Sequence, residues 1–532
     1  MADQRWSDRI TNQSEICNLK SEISLVHSYH DGTKHHFHQF ARSLGYLDWA
    51  SQPSPFRSFR GAPEVPLSPR PDAPPSSVGD ALRHSLGLSA WKQFRGSRWS
   101  LRVNPSSGNL HPTEAYVVSG SGLHHGVYHY AADRHALDQR CAFAADWPDD
   151  VFLVALTSIH WREAWKYGER AFRYCQHDLG HAIAASRIAA ALAGLRAEML
   201  PAWSHRDIAA LTGIDRDEDF VEAEREEPGC VMVVGPSSSV VGPSSLVLDR
   251  DSLLAAVRGG RWTGKASQLS EAHVQWTFID EIARATEDPG RAISASQSTI
   301  RLPDYPITQL PDRAIVLKRR SAVALDGRSS IGADGFFDML ARAMPAAGPP
   351  WDALWWDARI HLALFVHRVD GVDPGLYVLV RNDRATEALK RAMTRDFLWE
   401  RATDRLPLFL LARGDCRRLA ERVSCDQEIA ADGFFSLGML AEFDASLAEL
   451  GPEFYRHLFW ESGVVGQVLY LAAEAAGTRG TGIGCFYDEP VHDVFGLTDH
   501  TFQSLYHFTI GIPVEDTRLT TEPGYEWQRS GH

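Results

Sequence analysis

The sequence predicts an α+β fold in which two similar halves pack together through long central helices. The chain has 532 residues, which is too long for one ordinary hydrophobic core and long enough for two domains with connecting segments. Strand and helix patterns of the first half recur in the same order in the second half. Each half also contains an Ala- and Gly-rich helical segment, at 180–194 and 463–477, with equally spaced glycines. Two unrelated α+β domains with generic Ala-rich helices remain the alternative.

Composition and charge narrow the class of protein. Hydrophobic residues make up 44% of the chain and charged residues 23%, as in ordinary globular proteins. No apolar run approaches the roughly 20 residues of a membrane span, and the N-terminus lacks a signal-peptide core, so we expect a cytoplasmic protein that does not enter membranes. The net charge of −14 argues against non-specific nucleic-acid binding. Seven cysteines without a CxxC pair predict neither structural disulfides nor a zinc knuckle.

The chain begins with a polar, His-rich extension over 1–77. Its histidines include His27, His30, His35, His36 and His38, but no Cys or carboxylate completes a ligand set at fixed helical spacing. Metal binding is therefore an alternative for this segment, and no metal site is predicted. Residues 53–75 carry many prolines and are typical of an extended surface strap.

The first domain is predicted over 78–236. Its elements are a helix near 78–94, strands at 114–118, 126–130 and 151–159, a long helix over 164–196, and a strand at 230–234. Small residues on several faces of the long helix allow close packing, so we expect this helix to be central and buried. It carries polar residues that must face a cavity or an interface, because an unpaired buried charge is costly. These residues are Tyr174, His177, Asp178, His181 and Arg187.

A linker over 237–311 separates the first domain from the second, which is predicted over 312–532. The linker contains a helix near 270–287 that opens with Ser270 as a capping residue, and Pro-rich stretches on both sides at 236–246 and 288–312. Four landmarks of the second domain match the first. Residues 375–379 match 126–130, 406–411 match 151–159, 463–477 match 180–194, and 508–513 match 231–236.

Two short segments carry the candidate chemistry. Pro105, Ser106, Ser107, Gly108 and Asn109 form a turn whose hydroxyl and amide groups can bond to backbone or ligand, with an ordinary turn as the alternative. About two hundred residues later come Arg319, Arg320 and Ser321, and arginine forks suit phosphate and carbonyl oxygens. A basic doublet is a weak signal by itself. Each segment occurs once, although the predicted domain occurs twice.

With these segments, the chain resembles the FMN-dependent nitroreductase superfamily, and within it the SagB/ThcOx-like branch that includes azoline dehydrogenases. The resemblance covers roughly 78–236 and 312–525. It implies α+β domains that dimerise through long central helices, with FMN at the interface. It further implies that Arg319, Arg320 and Ser321 bind the phosphate and ring edge, while the opposite half presents the Pro105–Asn109 loop to the flavin. Val323 stands where the family usually has another arginine.

The resemblance implies further site residues. Residues 480–484 read Gly-Thr-Gly-Ile-Gly and resemble a dinucleotide fingerprint, but a helix precedes them, so we assign Gly482, Ile483 and Gly484 instead to the loop that contacts the flavin ring in the family. Arg518 matches a phosphate-binding basic residue near the family's C-terminus. Lys166 and Tyr167 match the Lys-Tyr segment implicated in proton handling. Such groups ordinarily titrate near pH 10 and need burial or a charged partner to act as bases. A Lys–Tyr pair that only packs at a helix start is the alternative.

The reciprocal site lacks both segments. Arg83, His84 and Ser85 match the arginine segment poorly, and 345–350 replace the flavin-facing loop. We expect Trp351, Trp355 and Trp356 to fill that cleft, which leaves one composite FMN site per chain.

The predicted function is an FMN-dependent oxidoreductase that transfers a hydride between FMN and a small organic or peptide-derived substrate. A reductase would draw on NAD(P)H, whereas a dehydrogenase would return electrons to dioxygen. A non-catalytic flavin-binding or scaffold partner in a biosynthetic pathway and a flavin-consuming enzyme are the alternatives. Further homodimerisation of the intrachain pseudo-dimer is left open.

Overall fold

The computed structural model describes residues 13–67, 78–119, 123–145, 147–148, 150–240, 249–291 and 311–527. The helices in these ranges are α1 Gln13–Gly32, α2 Val78–Arg83, α3 His160–Tyr167, α4 Ala171–Leu192, α5 His205–Thr212, α6 Arg250–Arg258, α7 Thr277–Ala285, α8 Arg313–Lys318, α9 Ala333–Arg342, α10 Thr386–Ala392, α11 Arg417–Val423, α12 Ile429–Asp432, α13 Phe443–Leu450, α14 Phe454–Ala475 and α15 Asp488–Phe495. Among the described residues, no helix is both long and apolar enough to cross a membrane.

The strands of the described ranges form two large sheets and several small ones. They are β1 Phe59–Arg60, β2 Glu64–Pro66, β3 Leu88–Phe94, β4 Ser97–Arg102, β5 Thr113–Ser119, β6 Gly126–Ala131, β7 Ala136–Ala142, β8 Phe152–Ser158, β9 Arg196–Met199, β10 Glu227–Gly235, β11 Arg261–Trp262, β12 Lys265–Ala266, β13 Ile331–Gly332, β14 Ile360–Val366, β15 Val369–Asp370, β16 Gly375–Leu379, β17 Glu400–Arg401, β18 Leu408–Arg413, β19 Phe435–Glu442, β20 Arg479–Ile483, β21 Phe502–Gly511 and β22 Thr520–Pro523.

The two large sheets share one strand arrangement. The first runs β11-β7-β6-β5-β8-β10-β9 and the second runs β17-β18-β16-β14-β19-β21-β20, with antiparallel neighbours. Alternate residues of a strand face opposite sides of its sheet. One face of each sheet packs into a core that both halves share, and the other face packs into a core of its own half. In β5, Val117 lies in the shared core and Tyr116 in the core of the first half. In β14, Leu364 lies in the shared core and Phe365 in the core of the second half. Both faces of each sheet are buried, which explains the nearly continuous apolar runs.

The halves meet through α4 and α14, and glycines permit the contact. Gly180 and Gly463, the first glycines of the two matching helical segments, cross one another. A Cβ atom on Gly463 would lie 2.8 Å from Gly180 Cα and would collide with the His177 carbonyl, while one on Gly180 would collide with the Trp460 backbone. The predicted α+β fold, with two halves packed through long central helices, is confirmed.

The predicted long helix over 164–196 is broken in the structure. Helix α3 ends at Tyr167, a short 3-10 turn covers Gly168–Arg170, and α4 begins at Ala171. Gly168 adopts a φ of +56° and approaches the Arg42 carbonyl, which accepts a hydrogen bond from Glu169 N at 2.9 Å. A side chain at Gly168 would collide with this carbonyl. The break leaves Lys166 and Tyr167 at the end of a separate short helix.

Three other predictions of local structure are wrong. The helix near 78–94 ends at Arg83, and 88–94 form β3 because β4 and the distant C-terminal strand β22 pair with it. The helix near 270–287 begins only at Thr277, since the Ser270 hydroxyl bonds instead to Trp161 and Glu224 at 2.7 and 3.1 Å. Residues 406–411 enter β18, which holds the sheet position of β7. The counterpart of the 151–159 strand is β19.

The domain boundaries at 78, 236 and 312 stay a prediction. Strands β2 and β11, from the predicted extension and linker, pair with β7 of the first sheet. Strand β22 of the second half pairs with β3 of the first. The predicted strap at 53–75 and the linker stretches 236–246 and 288–312 lie partly outside the described residues.

Candidate cofactor and active site

A cavity of about 850 Å³ lies between the two halves. Its wall contains every residue that the sequence assigned to cofactor binding, together with Tyr167 of the predicted catalytic pair. The cofactor residues are Pro105, Ser106, Ser107, Asn109, Arg319, Arg320, Ser321, Gly482, Ile483, Gly484 and Arg518. The two short segments that stand about two hundred residues apart in sequence therefore face one space. That they bind a flavin remains a prediction.

The loop at 104–109 is held by its own polar groups. Gly108 and Asn109 have left-handed φ values of 57° and 61°, and Asn109 Nδ2 donates to the Ser100 carbonyl at 2.9 Å. The Ser107 backbone N–H and hydroxyl both donate to the Asp178 carboxylate at 3.0 Å. His111 N donates to the Ser106 hydroxyl at 2.8 Å. The serines therefore fix the turn, and the loop offers a rigid wall to the cavity.

Arg319 bridges the halves and keeps one donor nitrogen free for a ligand. Its side chain is buried, with Nε donating to the Val103 carbonyl at 2.9 Å and Nη2 to the Arg102 carbonyl at 3.1 Å. Nη1 is buried without a hydrogen-bond partner in the described structure. A buried donor without an acceptor is costly, so this nitrogen suits an anionic or carbonyl oxygen in the cavity.

Arg320 and Ser321 are already engaged by protein groups. Arg320 donates to Ser89 Oγ at 3.1 Å and to the Leu317 carbonyl at 2.9 Å. The Ser321 hydroxyl lies 2.9 Å from the Tyr470 hydroxyl, which also accepts from Gly482 N. Burial, then the neighbouring Arg319, lowers the pKa of Arg320 to about 10. This end of the cavity thus has excess positive charge, which an anionic ligand would relieve.

Residues 482–484 present backbone to the cavity. Strand β20 lies at the end of its sheet, so its outer edge has no strand partner among the described residues. A Cβ atom on Gly484 would collide with the Tyr174 ring, and one on Gly482 with the Tyr506 hydroxyl. These tyrosines line the cavity as well, so glycine lets aromatic rings pack directly against an exposed backbone edge.

Arg518 lines the cavity from the surface. Its side chain is 70% exposed, and Nε and Nη2 both donate to the Asp516 carboxylate at 2.8 Å. Because Asp516 already neutralises this guanidinium, Arg319 is the stronger candidate for a phosphate contact. Arg102 and Arg479 also line the cavity, and no sequence motif identifies them.

Of the predicted catalytic pair, only Tyr167 lines the cavity. It packs edge-on against Tyr174, with ring centroids 4.5 Å apart. Burial, then the neighbouring Glu163, raises the pKa of Tyr167 well above its usual range, so its hydroxyl stays protonated near neutrality. Lys166 is exposed, and its Nζ lies 5.1 Å from the Tyr167 ring centroid, beside the Gly108 turn.

Asp178 is a candidate proton carrier; the sequence placed it among the residues that face a cavity or an interface, but assigned it no role. It is buried on α4 and lines the cavity. Burial raises its pKa from 3.8 to about 7, against the opposing hydrogen bonds from Ser106 and Ser107. Glu163 is also buried, both of its carboxyl oxygens lack a partner among the described residues, and burial raises its pKa well above the usual range. For Asp178, the signal available in the sequence was a polar side chain within the Ala-rich central helix.

The matching region of the other half is occupied by protein side chains. Glu461 stands two residues before Gly463, as Asp178 stands before Gly180, but it pairs with Arg381 at 2.5 Å and accepts from Trp356 Nε1 at 3.1 Å. The Arg381 guanidinium lies 4.8 Å from the Trp351 ring centroid.

Further protein contacts surround this ion pair. Trp351 and Trp356 are buried, whereas Trp355 is half-buried. Arg187 forms a two-pronged pair with Asp352 at 2.8 and 2.9 Å. Arg83 donates to the Leu88 carbonyl at 2.9 Å and lies over Tyr525. Ion pairs and tryptophan rings therefore lie at the positions that correspond to the proposed site.

Comparison with known proteins gives fold similarity to nitroreductases. No protein-family model and no curated protein matches the chain. A candidate nitroreductase of Anabaena variabilis matches with a TM-score of 0.69 at 21% identity, over 92% of this chain and 99% of that one. One from Ralstonia eutropha matches with a TM-score of 0.28 at 16% identity, over 42% and 94% of the two chains. A chain of the Escherichia coli microcin synthetase complex with a truncated precursor peptide gives 0.29 at 16% identity, over 43% and 77%. The first of these similarities shows that the chain has a nitroreductase-like fold.

Proposed function

We propose that this chain is an FMN-dependent oxidoreductase, related to nitroreductases and SagB-type dehydrogenases, with one composite site between two fused copies of a domain. The observation that carries the proposal is the shared cavity. The Pro105–Asn109 loop comes from one half, while Arg319 and the open edge of β20 come from the other.

The chemistry of the cavity wall fits a flavin mononucleotide. Its volume of about 850 Å³ falls within the roughly 300–1,000 Å³ of small-ligand and cofactor sites. Arg319 offers a buried, unsatisfied guanidinium nitrogen for an anionic or carbonyl oxygen. The backbone edge at 482–484 and the rings of Tyr174 and Tyr506 suit a flat, polar-edged ring system. When bound, FMN supplies hydride transfer, and the protein supplies position and electrostatics.

The chain's own residues would then handle protons and exclude water. Asp178 changes charge near neutrality, so its carboxyl group can take up or release the substrate proton at Oδ1 or Oδ2. The Tyr167 hydroxyl keeps its proton and acts as a hydrogen-bond or proton donor. The rigid loop at 104–109 closes one side of the cavity. In this proposal Tyr167 keeps its predicted catalytic role, and Lys166 takes part in proton handling from the rim of the cavity, beside the Gly108 turn.

Two observations support a single site per chain. The flavin-facing loop and the arginine segment each occur once in the sequence. In the region that corresponds to the reciprocal site, Glu461 of the second half and Arg187 of the first half, which match Asp178 and Tyr470 by position, are engaged in ion pairs.

The test is a titration of flavin-free protein with FMN, followed by flavin absorbance and by protein fluorescence. We expect saturation at one FMN per chain. Two FMN molecules per chain would contradict the single site, and no binding at saturating FMN would contradict the cofactor assignment.

Turnover assays separate the enzyme from its alternatives. NAD(P)H-driven reduction of a nitro or quinone compound would identify a reductase, and dioxygen-dependent oxidation of an azoline-containing peptide would identify a dehydrogenase. Bound FMN without turnover in either assay would favour a non-catalytic partner. Loss of the FMN absorbance itself with reductant and dioxygen would identify a flavin-consuming enzyme.

A further inference from the structure

Two cysteines and a histidine meet at the edge of the cavity. Cys425 lies between α11 and α12, Cys485 directly follows the Gly484 backbone of the cavity wall, and His35 follows α1. The Cys425 and Cys485 sulfur atoms are 2.8 Å apart, and Cys485 Sγ lies 3.7 Å from His35 Nδ1. Both thiols are partly buried. No CxxC pattern marks this cluster in the sequence, because its members are far apart along the chain.

The sulfur–sulfur distance distinguishes a thiol pair from a metal site. The three side chains are of types that bind zinc, and their candidate ligand atoms lie within 4.8 Å of one another. Two thiolates on a tetrahedral zinc ion, each about 2.3 Å from the metal, would be about 3.8 Å apart. A disulfide bond is about 2.0 Å long. The observed 2.8 Å is shorter than the zinc value and longer than a disulfide bond, so the two sulfurs are in direct contact and can form a bond after a small shift.

The backbone holds Cys425 in an unusual conformation that places its thiol against Cys485. Cys425 and Asp426 have left-handed φ values of 58° and 55°, which are uncommon for residues other than glycine. The Asp426 carboxylate accepts from the Tyr487 hydroxyl at 3.1 Å and from Arg422 at 2.6 Å. Such local strain persists where the surrounding contacts enforce it, and it is concentrated at functional positions.

The surroundings favour a thiolate at Cys485. The hydrogen bond with Cys425 is the main cause that lowers the pKa of the Cys485 thiol, followed by His35 and Arg170, while burial opposes them. Arg170 is buried and donates to the Gly484 carbonyl at 3.4 Å. Asp488, the nearby carboxylate, is held between Arg170 and Arg173 at 2.9 Å from each. The thiolate is the nucleophilic form of cysteine, so Cys485 is the attacking sulfur.

We propose that Cys425 and Cys485 are a redox-active thiol pair that exchanges two electrons with small disulfide compounds at the cavity. The Cys485 thiolate attacks one sulfur of the compound, whose disulfide bond breaks and releases a thiolate. The Cys425 thiol then loses its proton and attacks Cys485 Sγ, which releases the second thiolate. The two cysteines are oxidised to a disulfide and the compound is reduced to one thiol and one thiolate; the Cys425 proton passes to the thiol, and the thiolate takes its proton from solvent. The cavity would thus hold a second two-electron centre.

The experiment maps thiols in the full-length protein. The chain is reduced, separated from reductant, and incubated with oxidised glutathione. It is then alkylated with N-ethylmaleimide in denaturant and digested for mass spectrometry. We expect the alkylated cysteines to fall from seven to five per chain, with one cross-linked peptide pair joining Cys425 to Cys485. Dithiothreitol should restore all seven.

Single substitutions locate the reactive pair. Cys425→Ser should leave Cys485 carrying a stable glutathione adduct, because the resolving thiol is gone. Cys416→Ser is the matched control: Cys416 is buried in the same half, 3.6 Å from His367, and its variant should still form the Cys425–Cys485 disulfide.

Two results would overturn the proposal. One is complete alkylation of both cysteines after oxidation of the wild-type chain. The other is one tightly bound zinc ion per chain that protects both thiols from oxidation. The wild-type mapping decides the question even where a variant fails to fold. The measurement is made on flavin-free protein and repeated with FMN, so its outcome is independent of the proposed cofactor.

Discussion

Asp178→Asn tests whether a buried carboxyl group in the cavity titrates near neutrality. The asparagine amide oxygen can still accept the hydrogen bond from Ser107 N, but the side chain can no longer ionise. Burial raises the pKa of Asp178 from 3.8 to about 7, so between these values the folded protein binds a proton that the unfolded chain has lost. Stability therefore falls as pH rises through this window. The difference amounts to about 4 kcal/mol, at about 1.36 kcal/mol per pH unit.

Asp178→Asn should not show this loss of folding stability as pH rises, because its side chain cannot ionise. An unfolding entropy of about 2.1 cal/mol/K per residue gives about 1.1 kcal/mol/K for 532 residues, so 4 kcal/mol corresponds to about 4 °C in Tm. The difference between the Tm of Asp178→Asn and the Tm of the wild type should therefore increase by about that amount from pH 4 to pH 8. Both proteins are measured free of flavin by differential scanning fluorimetry at one scan rate.

A surface control isolates the effect of burial. Asp217→Asn removes a carboxylate whose side chain is 87% exposed. Its Tm relative to the wild type should change little over the same pH range. If the Asp178→Asn difference is equally flat, or falls with rising pH, Asp178 does not carry a proton near neutrality and its assignment as proton carrier is wrong.

Three further substitutions, two of them paired with a comparison variant, test the site and the interface. Arg319→Ala should weaken FMN binding roughly tenfold to a hundredfold, because a charge-assisted hydrogen bond contributes about 1.5–3 kcal/mol. Arg518→Ala should have a smaller effect. Equal FMN Kd values for Arg319→Ala and the parent would show that Arg319 does not bind the phosphate. Tyr167→Phe should spare the FMN Kd and lower turnover by about 10²–10⁴-fold, and unchanged kcat would remove Tyr167 from proton transfer. Gly463→Ala should destabilise the folded chain by about 1–3 kcal/mol or more, because the central helices must separate. Gly332→Ala, with nothing within 4 Å of its Cβ position, is the control in thermal melts, and equal Tm values would refute the close helix crossing.

Much of the fold could be read from the sequence because repeated local patterns encode it. The apolar runs at 114–118, 126–130 and 230–234 are strands, and the helical segments at 180–194 and 463–477 are buried except at their C-terminal ends. Glycine spacing anticipated the helix crossing because only a residue without Cβ allows two backbones so close. Local pattern failed where a distant partner decided the structure. Strand β3 forms in a region that resembles a helix because β22, over 400 residues later, pairs with it.

For the candidate site, the sequence by itself determined which segments were candidates, namely the turn at 105–109, the arginine segment at 319–321 and the glycine-rich stretch at 482–484, and all three line one cavity. Only the tertiary structure decided how each group is used. It left Nη1 of Arg319 buried without a hydrogen-bond acceptor, whereas it supplied protein acceptors to Arg320. It also placed Lys166 on the surface. It also brought Asp178 into the cavity and Cys425 against Cys485. The physical reason is that hydrogen bonding, desolvation and sulfur–sulfur contact depend on neighbours supplied by remote segments, which no local pattern specifies.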